Sequence, residues 1–121
     1  MKLKLIIALV NDNHTDQVLN AAREAGATGS TVINNARGEG RHPRKTFFGL
    51  ELTAQCDVLL FLVEEGLAEK VMKAVNRAGQ FDTQSGTGMA IQLAVEHATG
   101  LDGQLEAMMA QQHTQQRDDA Q

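Results

Sequence analysis

The chain has 121 residues, of which 42% are hydrophobic and 21% are charged, and its formal net charge is −4. These values are typical of one globular domain with a modest core, and they do not predict a nucleic-acid-binding protein. Because Cys56 is the only cysteine, the sequence excludes an intramolecular disulfide and a thiolate zinc cluster within one chain.

The first part of the chain predicts a strand, a helix and a second strand. Residues 2–10 begin with alternation and become continuously apolar, as expected of a strand buried on both faces. The apolar run 5–10 is too short for a signal peptide or a membrane span, so a cytoplasmic location is predicted. Asn13 is predicted to cap a helix that ends at Gly26. The second strand is predicted over 27–36.

The second part repeats this order. A third strand begins after residue 49 and includes the apolar run 58–63. The second helix opens at two acidic residues, 64 and 65, which suit the positive end of a helix dipole, and it ends at Gly79. A fourth strand is predicted over 89–95. A short helix is predicted over 104–112, and the glutamine-rich segment 111–121 is predicted to be disordered.

The order β-α-β-β-α-β predicts an α+β fold, the ferredoxin-like sandwich. Two βαβ halves with right-handed crossovers give a four-stranded antiparallel sheet with two helices on one face. The first and third strands are expected in the centre because they are the continuously apolar ones. We assign residues 1–103 to this domain and 104–121 to a C-terminal helix and tail. The sheet face without helices needs cover, which favours self-association.

A basic loop follows the second strand. Residues 37–45 contain four basic side chains and one acidic one, a local charge of +3 in an acidic chain. The loop is interpreted as a solvated turn, a loop that docks on a partner, or an anion site. In the anion reading, Arg41 would clamp a phosphate or a carboxylate. The residues assigned to partner docking are Arg37, His42, Arg44, Lys45, Phe47 and Phe48.

A second glycine-bearing loop, 80–88, precedes the fourth strand. Gly86 and Gly88 allow successive N–H groups to point at one anion such as phosphate, although a flexible connection has the same composition. The four histidines are scattered, so no metal site from one chain is predicted. The sequence contains no G-x-S-x-G motif and no motif that places a cysteine beside a histidine, so the protein is not predicted to be an enzyme.

Three landmarks together resemble the nitrogen-regulatory P-II signalling proteins and their divergent P-II-like relatives. They are the glycine-led strand 29–33, the loop entry 37–41, and the stretch 85–91 followed by Val95 and Glu96. The resemblance covers residues 3–101. It implies a ferredoxin-like fold, a homotrimer, and adenine nucleotides such as AMP, ADP or ATP bound as effectors between subunits. It also implies that no cofactor is tightly bound.

The resemblance also assigns roles to individual positions. It implies that the loop after the second strand, the T-loop, senses the ligand and docks on a membrane transporter or an enzyme. Where the family has an acidic residue in the 80–88 loop and a lysine directly after that loop, this chain has Thr87 and Met89, which removes one phosphate partner. No tyrosine is present for uridylylation. The implied nucleotide-binding residues are Thr31, Gly38, Gly40, Arg41, Leu62, Gly86, Thr87 and Gly88.

Two other functions fit the same sequence features. A ligand-independent interaction module would use the 37–48 loop to dock on a transporter or an enzyme without nucleotide. A metal-tolerance trimer of the same fold would use His42 or Cys56 as ligands shared between subunits. The leading hypothesis is a cytoplasmic P-II-like regulator that binds a small effector and signals through residues 37–48.

Overall fold

Six strands and two α-helices form in the described part of the chain. The computed structural model describes residues 2–36, 46–47, 50–51, 56–84 and 86–101. A 3-10 turn, Asp12–His14, precedes the first helix. The elements are β1 Leu3–Asn11, α1 Thr15–Glu24, β2 Thr31–Ala36, β3 Thr46–Phe47, β4 Leu50–Glu51, β5 Cys56–Glu64, α2 Glu65–Gly79 and β6 Gly88–Ala94.

The main sheet has four strands in the order β2-β5-β1-β6. All three pairings, β1 with β5, β1 with β6 and β2 with β5, are antiparallel. The continuously apolar strands β1 and β5 therefore occupy the centre, which confirms the predicted fold and strand positions. The short strands β3 and β4 form a separate antiparallel pair that the sequence analysis did not predict.

Both helices pack on one face of this sheet. Alternate residues of the central strands, Ile6 and Val10 in β1 and Phe61 in β5, are at most 1% exposed on that face. They form one cluster with Val18 of α1 and Val71 of α2. The spacing of the apolar residues, every second in the strands and every third or fourth in the helices, places them all in this core.

The opposite face of the sheet is apolar, and neither of the two described helices packs over it. The register aligns Leu5 with Leu62 and Leu93, and Ile7 with Leu60 and Ile91, on this face. Its outer members are open to solvent, since Ile91 is 41% and Leu93 is 45% exposed. We call this surface the open sheet face. Its members are Thr31, Ile33, Leu5, Ile7, Leu9, Val58, Leu60, Leu62, Met89, Ile91 and Leu93.

The helix ends differ in part from the sequence prediction. The side chain of Asn11 accepts from the amide of Asn13 and caps the 3-10 turn, so the prediction that Asn13 caps α1 is wrong. The turn intervenes because His14, not Asn13, precedes the first α-helical residue. Gly26, with φ of 118°, ends α1 as predicted. Glu64 caps α2 by accepting from the Gly66 amide at 2.7 Å.

Other predicted boundaries shift by a few residues. The second strand starts at Thr31, so residues 27–30 are irregular where extended structure was predicted. The fourth strand starts one residue earlier and ends one residue earlier than predicted. The predicted helix 104–112 and the predicted disordered tail 111–121 lie outside the described residues. Neither α-helix in the described ranges has the length and hydropathy needed to cross a bilayer.

One buried hydrogen bond ties α1 to the sheet. The Thr15 hydroxyl donates to Oδ2 of Asp57 at 2.6 Å, and both residues are 7% exposed. Thr15→Val keeps the shape and removes this donor from a buried carboxylate. We expect it to lower the free energy of unfolding by about 1.5–3 kcal/mol. Urea denaturation measures the change, and Thr15→Ser, which keeps the hydroxyl, should lose less than half as much.

Candidate functional site

Two loops leave the sheet at the same end. Strand β2 ends at Ala36, which pairs with Cys56 at the start of β5. Strand β6 begins at Gly88, which pairs with Val10 near the end of β1. Because the register aligns these strand ends, the segment 37–55 and the loop 80–88 are attached to one end of the sheet.

The loop 80–88 is held by hydrogen bonds within itself. The Thr87 hydroxyl lies 2.9 Å from the Gln80 carbonyl oxygen and 3.1 Å from that of Gln84. The Gln84 amide also donates to the Gln80 carbonyl at 2.9 Å. Gly86 has φ of 80°, which its lack of a Cβ permits. The Thr87 hydroxyl is thus engaged within the loop. The backbone N–H groups of the loop are therefore the candidate donors to an anion.

The end of α2 closes the base of this loop. The Asn76 amide group donates to Oδ2 of Asp82 at 2.7 Å, and its oxygen accepts from the Asp82 backbone amide at 3.3 Å. Gln80 takes the left-handed conformation, with φ of 57°. The helix therefore ends in a turn that is fixed by one side-chain pair, which keeps the loop in a defined position on the protein.

The ring of Phe81 packs against two glycines. A Cβ at Gly79 or at Gly88 would overlap the Phe81 ring, and a Cβ at Gly88 would also overlap the Leu9 carbonyl oxygen. Gly79 was predicted as the glycine that terminates α2. It is the last residue of that helix, as predicted, and Gln80 after it takes the left-handed conformation. A larger residue at position 79 would collide with the Phe81 ring.

Thr31 and Leu62 lie on the open sheet face. Thr31 pairs with Leu60, so Leu62 is its diagonal neighbour on that face. The loop 80–88 leads into β6, at the opposite edge of the sheet. Three inter-strand spacings, about 14 Å in total, separate strands β2 and β6 within one chain. The chain alone therefore does not bring Thr31 into contact with the Gly86–Gly88 backbone.

The structure describes only a small part of the predicted docking loop. The backbone of Phe47 lies in β3, where it pairs with Leu50. The remaining nucleotide-binding and docking predictions in this segment lie outside the described residues. These are Arg37, Gly38, Gly40, Arg41, His42, Arg44, Lys45 and Phe48.

Cys56 is a core residue. It is 5% exposed, and its thiol donates to the Asp57 carbonyl oxygen at 3.6 Å. Burial, followed by weaker effects of the Asp57 and Asp12 charges, raises the pKa of the Cys56 thiol, against a lowering by the Val10 backbone. This buried thiol does not suit a metal site shared between subunits. Among the described residues, no three His, Cys, Asp or Glu side chains are grouped as metal ligands.

The raised pKa of Cys56 predicts a pH dependence of stability. The stabilising effect of the protonated, buried thiol is complete below the pKa of a thiol in the unfolded chain, about 8.5. This effect is lost as the pH rises through the higher pKa of Cys56 in the folded protein. We expect the free energy of unfolding to fall more between pH 7.5 and 9.5 in the wild type than in Cys56→Ala. Urea denaturation at both pH values checks this, and parallel losses would contradict it.

Several residues of this region were missed from sequence. Lys73, Asn76, Phe81 and Met89 line one depression of about 330 Å³ between α2 and β6, with Asp82 and Gly88. The sequence analysis assigned no role to Asp82 or to Lys73. Their spacing gave no signal, because a helix, a turn and a strand bring them together only after folding.

Comparisons with known proteins agree with this architecture. A family model described as nitrogen regulatory protein P-II matches residues 3–101. The structure of CPII from Thiomonas intermedia K12, bound to ADP and bicarbonate, is 20% identical, with a TM-score of 0.56, covering 80% of this chain and 91% of that one. A second CPII structure, with ADP, AMP and acetate, has the same identity and TM-score and covers 79% of this chain and 90% of that one.

A PII-like signalling protein from Thermus thermophilus is also similar. It is 20% identical, with a TM-score of 0.54, and the match covers 78% of this chain and 90% of that chain. No curated protein sequence matches the chain. The similarity to solved structures shows the fold, and the match to the family model shows that this chain is also similar to the family in sequence.

Proposed function

The chain belongs to the nitrogen regulatory protein P-II family, and from this membership we propose that it is a regulatory protein that binds an adenine nucleotide between subunits. In this proposal the protein is a homotrimer in the cytoplasm that signals through residues 37–48. It acts on a partner such as a membrane transporter or an enzyme and catalyses no reaction itself.

The open sheet face supports the self-association in this proposal. Ten of its eleven members are apolar, and three of them, Ile33, Ile91 and Leu93, are 50%, 41% and 45% exposed. A contiguous apolar face across four strands is typical of an interface between proteins. We propose that two further copies of this chain cover it, as the family membership implies.

The separation of the predicted nucleotide-binding residues is the observation that carries the proposal. Thr31 and Leu62 lie towards the β2 side of the sheet, whereas Gly86–Gly88 lies at the β6 edge. If one ligand contacts both groups, they must come from different copies. A nucleotide in the cleft between two subunits would satisfy this geometry, with its base near Thr31 and its phosphates near the glycine loop of the neighbour.

The proposed effector is AMP or ADP. Both nucleotides are present in structures of CPII, which has the same fold. The backbone of the 80–88 loop suits a phosphate, because Gly86 takes a conformation that helps neighbouring N–H groups converge. Met89 replaces a lysine of the family, so ATP is expected to gain less from its third phosphate than AMP and ADP gain from theirs.

The proposed signal is ordering of the 37–48 loop by bound nucleotide. This segment follows β2 at the same end of the sheet as the 80–88 loop. Arg41 would contact a phosphate, together with Gly38 and Gly40 at the base of the loop. Residues Arg37, His42, Arg44, Lys45, Phe47 and Phe48 would then be presented to the partner. A ligand that favours one loop conformation shifts the population towards it.

Calorimetric titration of the full chain with AMP, ADP, ATP and cyclic nucleotides tests the proposal. Sedimentation analysis of the same samples reports the assembly. Binding of one nucleotide per subunit to an associated protein is the expected result. A folded, associated protein that binds none of these nucleotides would overturn the nucleotide function. Capture of a partner that needs the 37–48 loop but not nucleotide would then favour the ligand-independent module.

Arg41→Ala is expected to weaken nucleotide binding by about 1–3 kcal/mol, because it removes one charge-assisted contact to phosphate. Calorimetry with ADP measures the difference from the wild type. Arg23→Ala is the matched control, since Arg23 is an exposed residue in the last turn of α1, at the opposite end of the fold. Equal affinities of Arg41→Ala and Arg23→Ala would remove Arg41 from the site.

A further inference from the structure

We propose that Lys73 of α2 supplies the phosphate-binding cation of this site, in place of the lysine that Met89 replaces. The inference rests on the proposed nucleotide function and names a binding residue on another element. Three features support it: the depression beside β6, the direction of the Gly88 backbone, and the surroundings of the Lys73 ammonium.

The depression joins the glycine loop to helix α2. Its volume is about 330 Å³, and its wall includes the Lys73 side chain and the Gly88 backbone. Phe81 and Met89 add apolar surface to the same wall. The carboxylate of Asp82 is the acidic group in the lining. One cation and one glycine backbone therefore border the same space at the edge of the sheet.

The ladder pattern directs the Gly88 N–H towards this edge. The Asn11 amide donates to the Thr87 carbonyl at 3.1 Å, on one side of the Val10–Gly88 pair. In an antiparallel ladder, such a bond marks Val10–Gly88 as a pair whose own N–H and C=O groups point away from each other. Strand β6 is the outer strand of the described sheet, so the Gly88 amide points outward from the strand, on the side where the depression lies.

The Lys73 ammonium can change partner at little cost. It lies 3.1 Å from Oε1 of Glu69, and the two side chains are 70% and 81% exposed. Such an exposed i,i+4 pair on one helix contributes little to stability. A phosphate held between the Gly88 amide and this ammonium gives a charge-assisted contact with two donors. The ligand therefore competes against a weak ion pair.

Asp82 limits how much negative charge the depression accepts. Its carboxylate is fixed by the Asn76 side chain at 2.7 Å, so it stays near the ligand. Repulsion from this charge opposes the effect of Lys73. We therefore expect the site to hold one or two phosphate groups and to gain little from a third, which agrees with AMP or ADP as the effector.

The test compares single-charge variants of the full chain at low salt. Inorganic pyrophosphate and ADP are the probes, and calorimetry reads their dissociation constants. Lys73→Gln should weaken both ligands by about fivefold or more, the loss of one charge-assisted contact. Lys70→Gln removes the same charge from the same helix. It should change affinity by less than about twofold, because Lys70 borders only the groove between α1 and α2, whereas Lys73 borders both that groove and the depression beside β6.

Asp82→Asn is expected to change the affinity in the opposite direction. It removes the repelling charge and keeps a side chain that can bond to Asn76, so it should tighten pyrophosphate binding by about twofold or more. Circular dichroism confirms folding of each variant, which is expected because Lys73 and Asp82 are exposed. A general electrostatic effect would make the two lysine variants equal, and that result would overturn the proposal.

The two probes separate this inference from the proposed function. If ADP binds the wild type and Lys73→Gln binds it equally well, the role of Lys73 is wrong and the nucleotide function stands. If ADP does not bind but pyrophosphate binds in a Lys73-dependent way, the anion site stands and the nucleotide function falls. Absence of binding by both probes overturns both.

Discussion

Ile91→Lys is expected to convert the associated protein into monomers. Ile91 is 41% exposed in the single chain and lies halfway along β6, the outer strand of the open sheet face, opposite Ile7. If other copies cover this face, the variant places an unpaired ammonium in an apolar interface, which costs about 3–5 kcal/mol for each buried charge. Sedimentation velocity over a range of protein concentrations measures the change in mass.

Gln92→Lys is the matched control for this experiment. Gln92 is the next residue of β6, is exposed, and pairs with Ile6 on the helix-covered side of the sheet. It adds the same charge to the same strand without changing the open sheet face, so its mass should equal that of the wild type. If both variants remain associated, the interface lies elsewhere. The inter-subunit nucleotide site would then lose its main structural support.

Gly88→Ala is expected to reduce nucleotide affinity by about tenfold or more and to lower the free energy of unfolding by about 1–3 kcal/mol. An added Cβ would overlap the Leu9 carbonyl oxygen and also the Phe81 ring, 2.5 Å from its Cε1. The ring can turn, but the carbonyl belongs to the central strand β1. The start of β6 must therefore move, and the Gly88 amide moves away from the phosphate. Calorimetry with ADP and urea denaturation measure the two effects.

Gly29→Ala provides the comparison for a glycine with room around it. A Cβ at Gly29 would meet no heavy atom within 4 Å. Its stability and affinity should lie within experimental error of the wild type. An unchanged ADP affinity in Gly88→Ala, with stability reduced, would show that the start of β6 supports the fold but does not contact the ligand.

The fold could be predicted well because its signals are local. The continuous apolar runs of β1 and β5, set against the mixed runs of β2 and β6, were enough to place two strands in the centre. The start of α2 was predicted from the acidic pair Glu64 and Glu65, which suits the positive end of a helix dipole, and Glu64 is the residue that caps the helix. The error at Asn13 arose because a short polar side chain suits a 3-10 turn as well as an α-helix.

The candidate site could be predicted only as two loops. Gly86 and Gly88 were found because glycine pairs carry a backbone signal, and Thr31 entered through the family resemblance. The Asn76–Asp82 hydrogen bonds, the contact of Phe81 with Gly79, and the position of Lys73 had no such signal. Each depends on where a turn directs a side chain, which sequence spacing does not specify.

The sequence by itself determined the element order, the composition of the core and the glycine loop, because each follows from the periodicity or backbone preference of neighbouring residues. The tertiary structure decided which surfaces remain open. Register alone places Leu5, Leu62 and Leu93 in one row, and the strand order separates Thr31 from Gly88 by the width of the sheet. Such relations join residues that are far apart in the chain, so they exist only once the strands have paired.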